Sequence, residues 1–593
     1  MTAPITISSD QILDDVEHHF RVTAGPGAGK THWLVNHIRQ VARIGKRLTP
    51  CSRIGVISYT NVAVREIVGR LGTVADKVDV STIHSFLYRN VVRPYVHLIK
   101  DADGVDLVAH SLIDTHDVHF PAYDKVSTWA KSAGKGRILS DVPKGSKDRL
   151  WEQLRALTVR VDQTGEPYLV PRRIEARDTS LRDLFTPERL LEYKRFYWQE
   201  GSLDHEDVLY FAYRILRDFP PLRRFFSDRF PYLFVDEFQD TVPVQGELVR
   251  CLAESGTVIG VIGDPEQAIF NFIDASPEYF AKFQLEGHKQ YKINDNRRST
   301  KSIVDLLNHV RTDGLEQQSV RQDIGGPPVV YSGSLGDALV HARNAIPAGT
   351  PLLVLAWTHA TLLQARLESG GQLTDPWKAL NAADEARCRL LQSVMTALDL
   401  AQRRLFDLAI SRLLQGISSR NGFRKPLDFS GKITLTMRRS LALSVLEHLL
   451  PMHTELLGKT TLDFYEALRA YVPGCVEGMS LPAVRGGKGF HLVANSQRYE
   501  DLFRALQTPD EARDIRTIHQ AKGSECSAVF VVLEDDHVSH IVSPIANIEQ
   551  QRLVYVALSR ARDYLFVFCP PRDRLPEFVA LGMITHEFVV VPP

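Results

Sequence analysis

The sequence predicts an α/β protein built from two parallel-sheet cores, each carrying a mostly helical insertion. Short apolar, β-branched runs alternate with longer helical patterns, the signature of parallel α/β layers. Those runs fall into an early and a late group, with different material between them. A glycine-rich loop follows the first strong run and opens a helical stretch, as in phosphate-binding folds. At 593 residues the chain is too long for one hydrophobic core, and its length suggests about four domains.

The early group places strands at Phe20–Thr23, Arg53–Tyr59, Tyr232–Asp236 and Thr257–Gly263. The late group places them at Leu352–Ala356, Ala528–Leu533 and Tyr564–Phe568. From about 92 to 203 a basic segment with Lys131, Lys135, Arg137, Lys144, Lys147 and Arg149 lies between or beside Trp129 and Trp151. From about 373 to 507 the pattern turns helical, with Leu391, Val394, Leu398, Leu405 and Leu408 spaced as one buried stripe. The expected division is a first core at 1–91 and 204–290, a second at 291–372 and 508–593, and insertions at 92–203 and 373–507.

Composition narrows the classes. An apolar fraction of 44% and a charged fraction of 24% are ordinary for a globular protein. No run approaches the roughly 20 apolar residues of a membrane helix, and the first residues lack the pattern of a secretory signal. Cys51, Cys251, Cys388, Cys475, Cys526 and Cys569 are scattered without a C-x-x-C pair, which fits a cytoplasmic protein rather than a zinc module. The histidines of Asp535–His540 are expected in a solvated loop rather than a metal site. With 71 basic and 71 acidic residues the net charge is zero, so any nucleic-acid partner must be met by a local groove.

Two motifs carry the chemistry. Ala24-Gly25-Pro26-Gly27-Ala28-Gly29-Lys30-Thr31 sits between a predicted strand and a helix. Its backbone N–H groups would cradle phosphates, Lys30 would reach the β- and γ-phosphates, and the Thr31 hydroxyl would join a Mg²⁺ shell. Val235-Asp236-Glu237-Phe238-Gln239-Asp240-Thr241 ends an apolar strand, where a parallel sheet presents ligand contacts. Asp236 is suited to hold Mg²⁺, and Glu237 to orient and deprotonate the attacking water.

Further segments make the resemblance specific. Ile57-Ser58-Tyr59-Thr60-Asn61, Ser81-Thr82-Ile83-His84-Ser85-Phe86, Gly263-Asp264-Pro265-Glu266-Gln267, Asn296-Arg297-Arg298-Ser299, His519-Gln520-Ala521-Lys522-Gly523-Ser524-Glu525 and Tyr555-Val556-Ala557-Leu558-Ser559-Arg560-Ala561-Arg562 follow in order. With the P-loop and acidic pair, this series resembles the UvrD/Rep/PcrA group of superfamily 1A helicases, over roughly the two motor cores. The resemblance implies two RecA-like P-loop NTPase cores and an ATP-dependent translocase on single-stranded DNA, moving 3′-to-5′; with the last motor strand so near the end of the sequence, no appended nuclease domain is expected.

It also implies roles for individual residues. Arg298 and Arg560 would reach the γ-phosphate from the second core, and Gln267 would sense it. Gln11, His32, Arg297 and Glu525 would lie on the nucleotide side, and Tyr59, Phe270 and Phe272 would stack on bases. Thr60, Asn61, His84 and His519 would lie near the DNA backbone.

The pattern departs from the family in places. His32 and Arg297 stand where the family has a cation and a ring, and Ile273-Asp274 where it has Arg-Gly. Basic stretches at 131–149 and 420–439 are either replacements for that lost cation or solvated basic faces, and the loop 485–489 is a candidate for duplex contact. Leu203–Leu209 resembles the family's return hinge into the first core. A second reading follows from the same departures: a DNA-gated ATPase serving a partner nuclease, as in Gabija-type antiphage systems.

Overall fold

The early apolar runs become the centre of a seven-stranded parallel sheet in the computed structural model. The model describes residues 3–113, 116–117, 121, 123–132, 134, 144–172, 184–269, 277–357, 376–402, 406–417, 428–429, 435–475, 479–484, 486–487, 489–506, 515–569 and 572–588. The strand order is Ile5–Ile7, Lys289–Ile293, Phe20–Ala24, Val258–Gly263, Tyr232–Val235, Ile54–Ser58 and Val78–Thr82. Ile54–Ser58, Tyr232–Val235 and Val258–Gly263 are buried along their whole length, as strands covered on both faces must be. The flanking strands are shorter or more polar.

The late runs form a six-stranded parallel sheet in the order Ile515–Thr517, Leu352–Ala356, Cys526–Val532, Ala561–Phe568, Val329–Ser332 and Ile584–Glu587. Two parallel sheets with helical crossovers are the two RecA-like cores the sequence predicts. Lys289–Ile293 pairs with both Phe20–Ala24 and Ile5–Ile7, so the first core runs through Ile293, slightly past the expected boundary.

Local sequence sets the helix ends that matter. The helix Lys30–Ile44 starts from Gly29 in the left-handed region, and Asn61–Leu71 is capped by the Thr60 hydroxyl. His205–Asp218 opens with a reciprocal capping box between Asp204 and Asp207. Both carboxylates also bind the ammonium of Lys194, which is 1% exposed. The hinge-like segment is therefore a buried ionic anchor.

The histidines of Asp535–His540 are not solvated. His537 stacks on Trp357 at 3.5 Å, and the His540 Nδ1 lies 3.2 Å from the Gln551 Oε1, both rings being buried. Apolar neighbours at Val538 and Ile541 draw this turn into the core of the second sheet.

The two cores belong to one compact unit: Met1–His119, Pro143–Ser369 and Asp514–Pro593. Phe120–Val142 and Gly370–Arg513 form the other, so part of the first expected insertion groups with the second. This second unit is helical, with Glu385–Gln402, Leu435–Leu456, Thr461–Cys475 and Tyr499–Leu506 around a common core. Leu391, Val394 and Leu398 are buried there, but the helix stops at Gln402. Leu405 lies outside the described residues, and Leu408 belongs to the next helix, Phe406–Ile417.

Candidate nucleotide and nucleic-acid site

Parallel register brings the motifs to one edge. Thr23 pairs with Gly263, Val261 with Val235, and Val235 with Ile57. Ala24, Asp264, Asp236 and Tyr59 consequently emerge from neighbouring strands at their C-terminal ends, where open α/β sheets bind ligands.

The P-loop turns through Gly27 and Gly29, at φ 72° and 81°, conformations that leave N–H groups pointing into the concavity. The second core lies directly against it. The side-chain amides of Asn296 and Gln317 donate to the Pro26 carbonyl at 3.2 and 3.1 Å, and the Arg297 N–H donates to the Gly27 carbonyl at 2.8 Å. A Cβ on Gly27 would stand 2.6 Å from the Arg298 Cβ. Lys30 sits inside this cradle, its Nζ 3.7 Å from Glu237 Oε1 and 3.4 Å from the Ala24 carbonyl.

The acidic pair divides its roles by environment. Burial, then the neighbouring Glu237 charge, pushes Asp236 up to about 7. A buried carboxylate so disposed to hold a proton is one that a hard divalent cation would return to the ionised form. Oxygen donors from Asp236 and Thr31 suit such an ion. Burial also raises Glu237, but the charges of Lys30 and Lys522, a hydrogen bond from Gln239 and the Arg560 charge together outweigh it and hold Glu237 below the usual range. It remains ionised at neutral pH, in a left-handed backbone conformation at φ 53°.

Residues from the second core complete the site. Arg560 is 1% exposed and donates to Gln267 Oε1 at 3.1 Å, to the Ser524 carbonyl at 3.1 Å and to Ser559 Oγ at 2.8 Å. Burial, then the nearby Arg298, pushes it down to about 9, so it stays cationic at neutral pH. Arg298 bonds Glu525 at 2.6 Å and the Ser559 carbonyl at 3.1 Å. Lys522 crosses between cores to both oxygens of buried Asp240, at 2.7 Å each, and to the Gln267 carbonyl at 2.6 Å.

Among the residues expected on the nucleotide side, His32 and Arg297 both turn to one carboxylate, Asp10. His32 Nε2 lies 2.9 Å from it, and Arg297 adds the Ser9 hydroxyl at 2.6 Å. Gln11 is exposed nearby, its carbonyl held by the Trp33 indole at 3.1 Å. Asp10 and Gln317 have no signal in the motif pattern, because each works through a partner distant in sequence.

Among the residues expected to meet DNA, Tyr59 is 40% exposed just past its strand, beside Thr60. The His84 ring lies 4.9 Å from that of His205, and burial lowers the half-buried His519. Asn61 opens the helix that Thr60 caps. Phe270, Phe272 and Ile273-Asp274 lie outside the described residues, as do Lys135, Arg137, Arg420, Arg424, Lys425, Lys432, Arg485 and Lys488.

A P-loop at one sheet edge, a carboxylate pair beside it and two arginines from a second parallel-sheet core mark a P-loop NTPase site shared by two cores. Residues 7–287 match the UvrD/REP helicase N-terminal domain, and residues 495–569 match the UvrD-like helicase C-terminal domain. The chain belongs to the UvrD/REP helicase family of ATP-hydrolysing DNA helicases.

Its relatives include YjcD of Bacillus subtilis (strain 168), a candidate ATP-dependent DNA helicase. The two are 24% identical over 96% of this chain and 79% of YjcD. The Gabija protein GajB of Bacillus cereus (strain HuB5-5) is 25% identical over 53% of this chain and 50% of its own length. The helicase PcrA of Leuconostoc citreum is 25% identical over 51% of this chain and 38% of its own length. The matches thus span most of YjcD but half or less of GajB and PcrA. No described helix is long and apolar enough to cross a membrane.

Proposed function

We propose that this chain is a cytoplasmic single-stranded DNA translocase and helicase that steps 3′-to-5′ and acts on single-strand/duplex junctions. The observation that carries the reading is the Gln267–Arg560 contact, which joins a γ-phosphate sensor of the first core to a cation of the second. Hydrolysis then depends on closure between the cores, so chemistry and motion are linked. We assign 1–91 and 204–293 to the first motor core and 294–372 and 508–593 to the second, with 92–203 and 373–507 as inserted segments.

In this mechanism Lys30 and the P-loop N–H groups hold the β- and γ-phosphates, and Thr31 and Asp236 would hold a Mg²⁺ ion that would neutralise phosphate charge. Glu237 accepts the proton of the attacking water. Arg298 and Arg560, permanently charged and planar, stabilise the charge developing on the γ-phosphoryl group. Gln11, His32, Arg297 and Glu525 border the base and ribose. Tyr59, Phe270 and Phe272 offer stacking faces for bases, with Thr60, Asn61, His84 and His519 along the sugar–phosphate track.

The test is strand displacement from duplexes with a 3′ or a 5′ single-stranded tail. ATP-dependent release from the 3′-tailed substrate alone supports the reading, and release from the 5′-tailed substrate alone refutes its polarity.

The similarity to GajB and the Ile273-Asp274 departure favour a second reading: a DNA-gated ATPase subunit of an antiphage or repair complex that controls a partner nuclease. Strong DNA-stimulated hydrolysis without strand displacement by the isolated chain would select it.

A further inference from the structure

The turn Asp264–Ala268 belongs to the first core by sequence, yet the second core holds it almost residue by residue. Arg311 binds both oxygens of Asp264, at 2.6 and 3.3 Å, and Thr312 donates to Glu266 Oε1 at 2.8 Å. Lys522 holds the Gln267 carbonyl and Arg560 its side-chain oxygen, while the Arg552 Nε donates to the Ala268 carbonyl at 2.7 Å. Ile269, which follows, is fully buried in an apolar cluster with Leu307, Ile518 and Tyr555 of the second core.

Within this arrangement Arg311 holds the central position. It ends the helix Lys301–Val310, and its side chain is 1% exposed. Besides Asp264 it binds Asp313 at 2.6 and 2.7 Å and donates to the Tyr555 hydroxyl at 2.7 Å, its guanidinium 5.4 Å from that ring's centroid. Asp264 in turn accepts from the Gln267 side-chain amide at 2.8 Å. Tyr555 lies on the helix Glu549–Leu558, which leads directly to Arg560. One planar cation therefore fixes both ends of the Gln267–Arg560 contact, a geometry that bidentate guanidinium binding provides and an ammonium does not.

We propose that Arg311 is a positioning residue for γ-phosphate sensing: through Asp264 it aims the Gln267 amide, and through Tyr555 it sets the helix that delivers Arg560. It touches no phosphate itself. The inference rests on the proposed motor reading, and its test separates the two.

The experiment compares Arg311→Met and Arg311→Lys with the wild type in steady-state hydrolysis, with and without oligo(dT), and in titrations with fluorescent ATPγS and ADP analogues. In Arg311→Met, kcat should fall about a hundredfold while KM for ATP stays within about threefold, the pattern of a lost transition-state interaction. The preference for the triphosphate analogue over ADP should fall about tenfold. Arg311→Lys should recover part of kcat through its charge.

A well-folded Arg311→Met with wild-type kcat and wild-type triphosphate preference would overturn the assignment. If Arg311→Met alone does not fold, Arg311→Met/Asp264→Asn removes the stranded carboxylate, and the same criteria apply to it. Lack of oligo(dT) stimulation in the wild type would count against the translocase, while the nucleotide titrations would still judge Arg311.

Discussion

Replacing Lys522 with methionine tests the contact between the two cores through a charge that cannot easily escape. The Lys522 side chain is 10% exposed and its partner Asp240 is fully buried, with both carboxylate oxygens 2.7 Å from the ammonium. Methionine keeps most of the volume but leaves Asp240 unpaired. Breaking a buried pair from one side costs about 3–5 kcal/mol, because the remaining charge stays desolvated. That cost lowers the folding equilibrium by roughly two to three and a half orders of magnitude.

The loss must also depend on pH. Burial pushes Asp240 up from 3.8 to about 6, against the pull of Lys522. A carboxyl raised in the folded state contributes stability that is fully present below its unfolded value and lost as pH rises through its folded value. Without Lys522 the folded value climbs further, so the deficit should be small near pH 5 and largest near pH 8. Urea denaturation across that range reads it directly. A double variant, Lys522→Met/Asp240→Leu, should regain most of the stability, since apolar replacement of a whole buried pair is often neutral. A Lys522→Met deficit below about 1 kcal/mol at pH 8, the size of an exposed pair, would refute the reasoning.

Other outcomes follow from the same geometry. Lys194→Met strands Asp204 and Asp207 in the anchor before the helix His205–Asp218, and should cost about 3–5 kcal/mol in denaturant melts. Burial, then Asp204, raises Asp207 to about 7, so this deficit too should shrink on acidification from pH 8 to 5. An unchanged deficit would contradict the buried triad. Gly27→Ala forces an L side chain into a left-handed turn, at about 1–2 kcal/mol, and drives its Cβ against Arg298. Nucleotide affinity should drop at least about tenfold, and wild-type affinity by fluorescence titration would show that the cores do not meet there.

How much the sequence disclosed depended on how local the signal was. The strands around Val56, Phe234, Ile259, Val354, Val531 and Val567 were legible because burial on both faces demands continuous apolar runs, and Phe20–Ala24 was legible from the glycine-rich loop that follows it. Val78–Thr82 and Lys289–Ile293 were not, since edge or mixed strands alternate with Asp79, Ser81, Lys289 and Lys292. The P-loop and acidic pair announced themselves through fixed spacing in one segment.

Arg311 did not, because its meaning lies in Asp264 and Tyr555, distant in sequence and joined only by docking of the second core. Lys522 and Asp240 were visible as motif letters, but their ion pair was not. His537 and His540 looked solvated among Asp535, Asp536 and Ser539, whereas Val538 and Ile541 decide their burial.

The central claim is that this ATP site is a motor gated by single-stranded DNA. Its most direct test is ATP hydrolysis by the purified chain with and without oligo(dT), alongside Lys30→Ala and Glu237→Gln. The account predicts at least about tenfold stimulation by DNA, abolished in both variants. Slow hydrolysis that ignores DNA would contradict it.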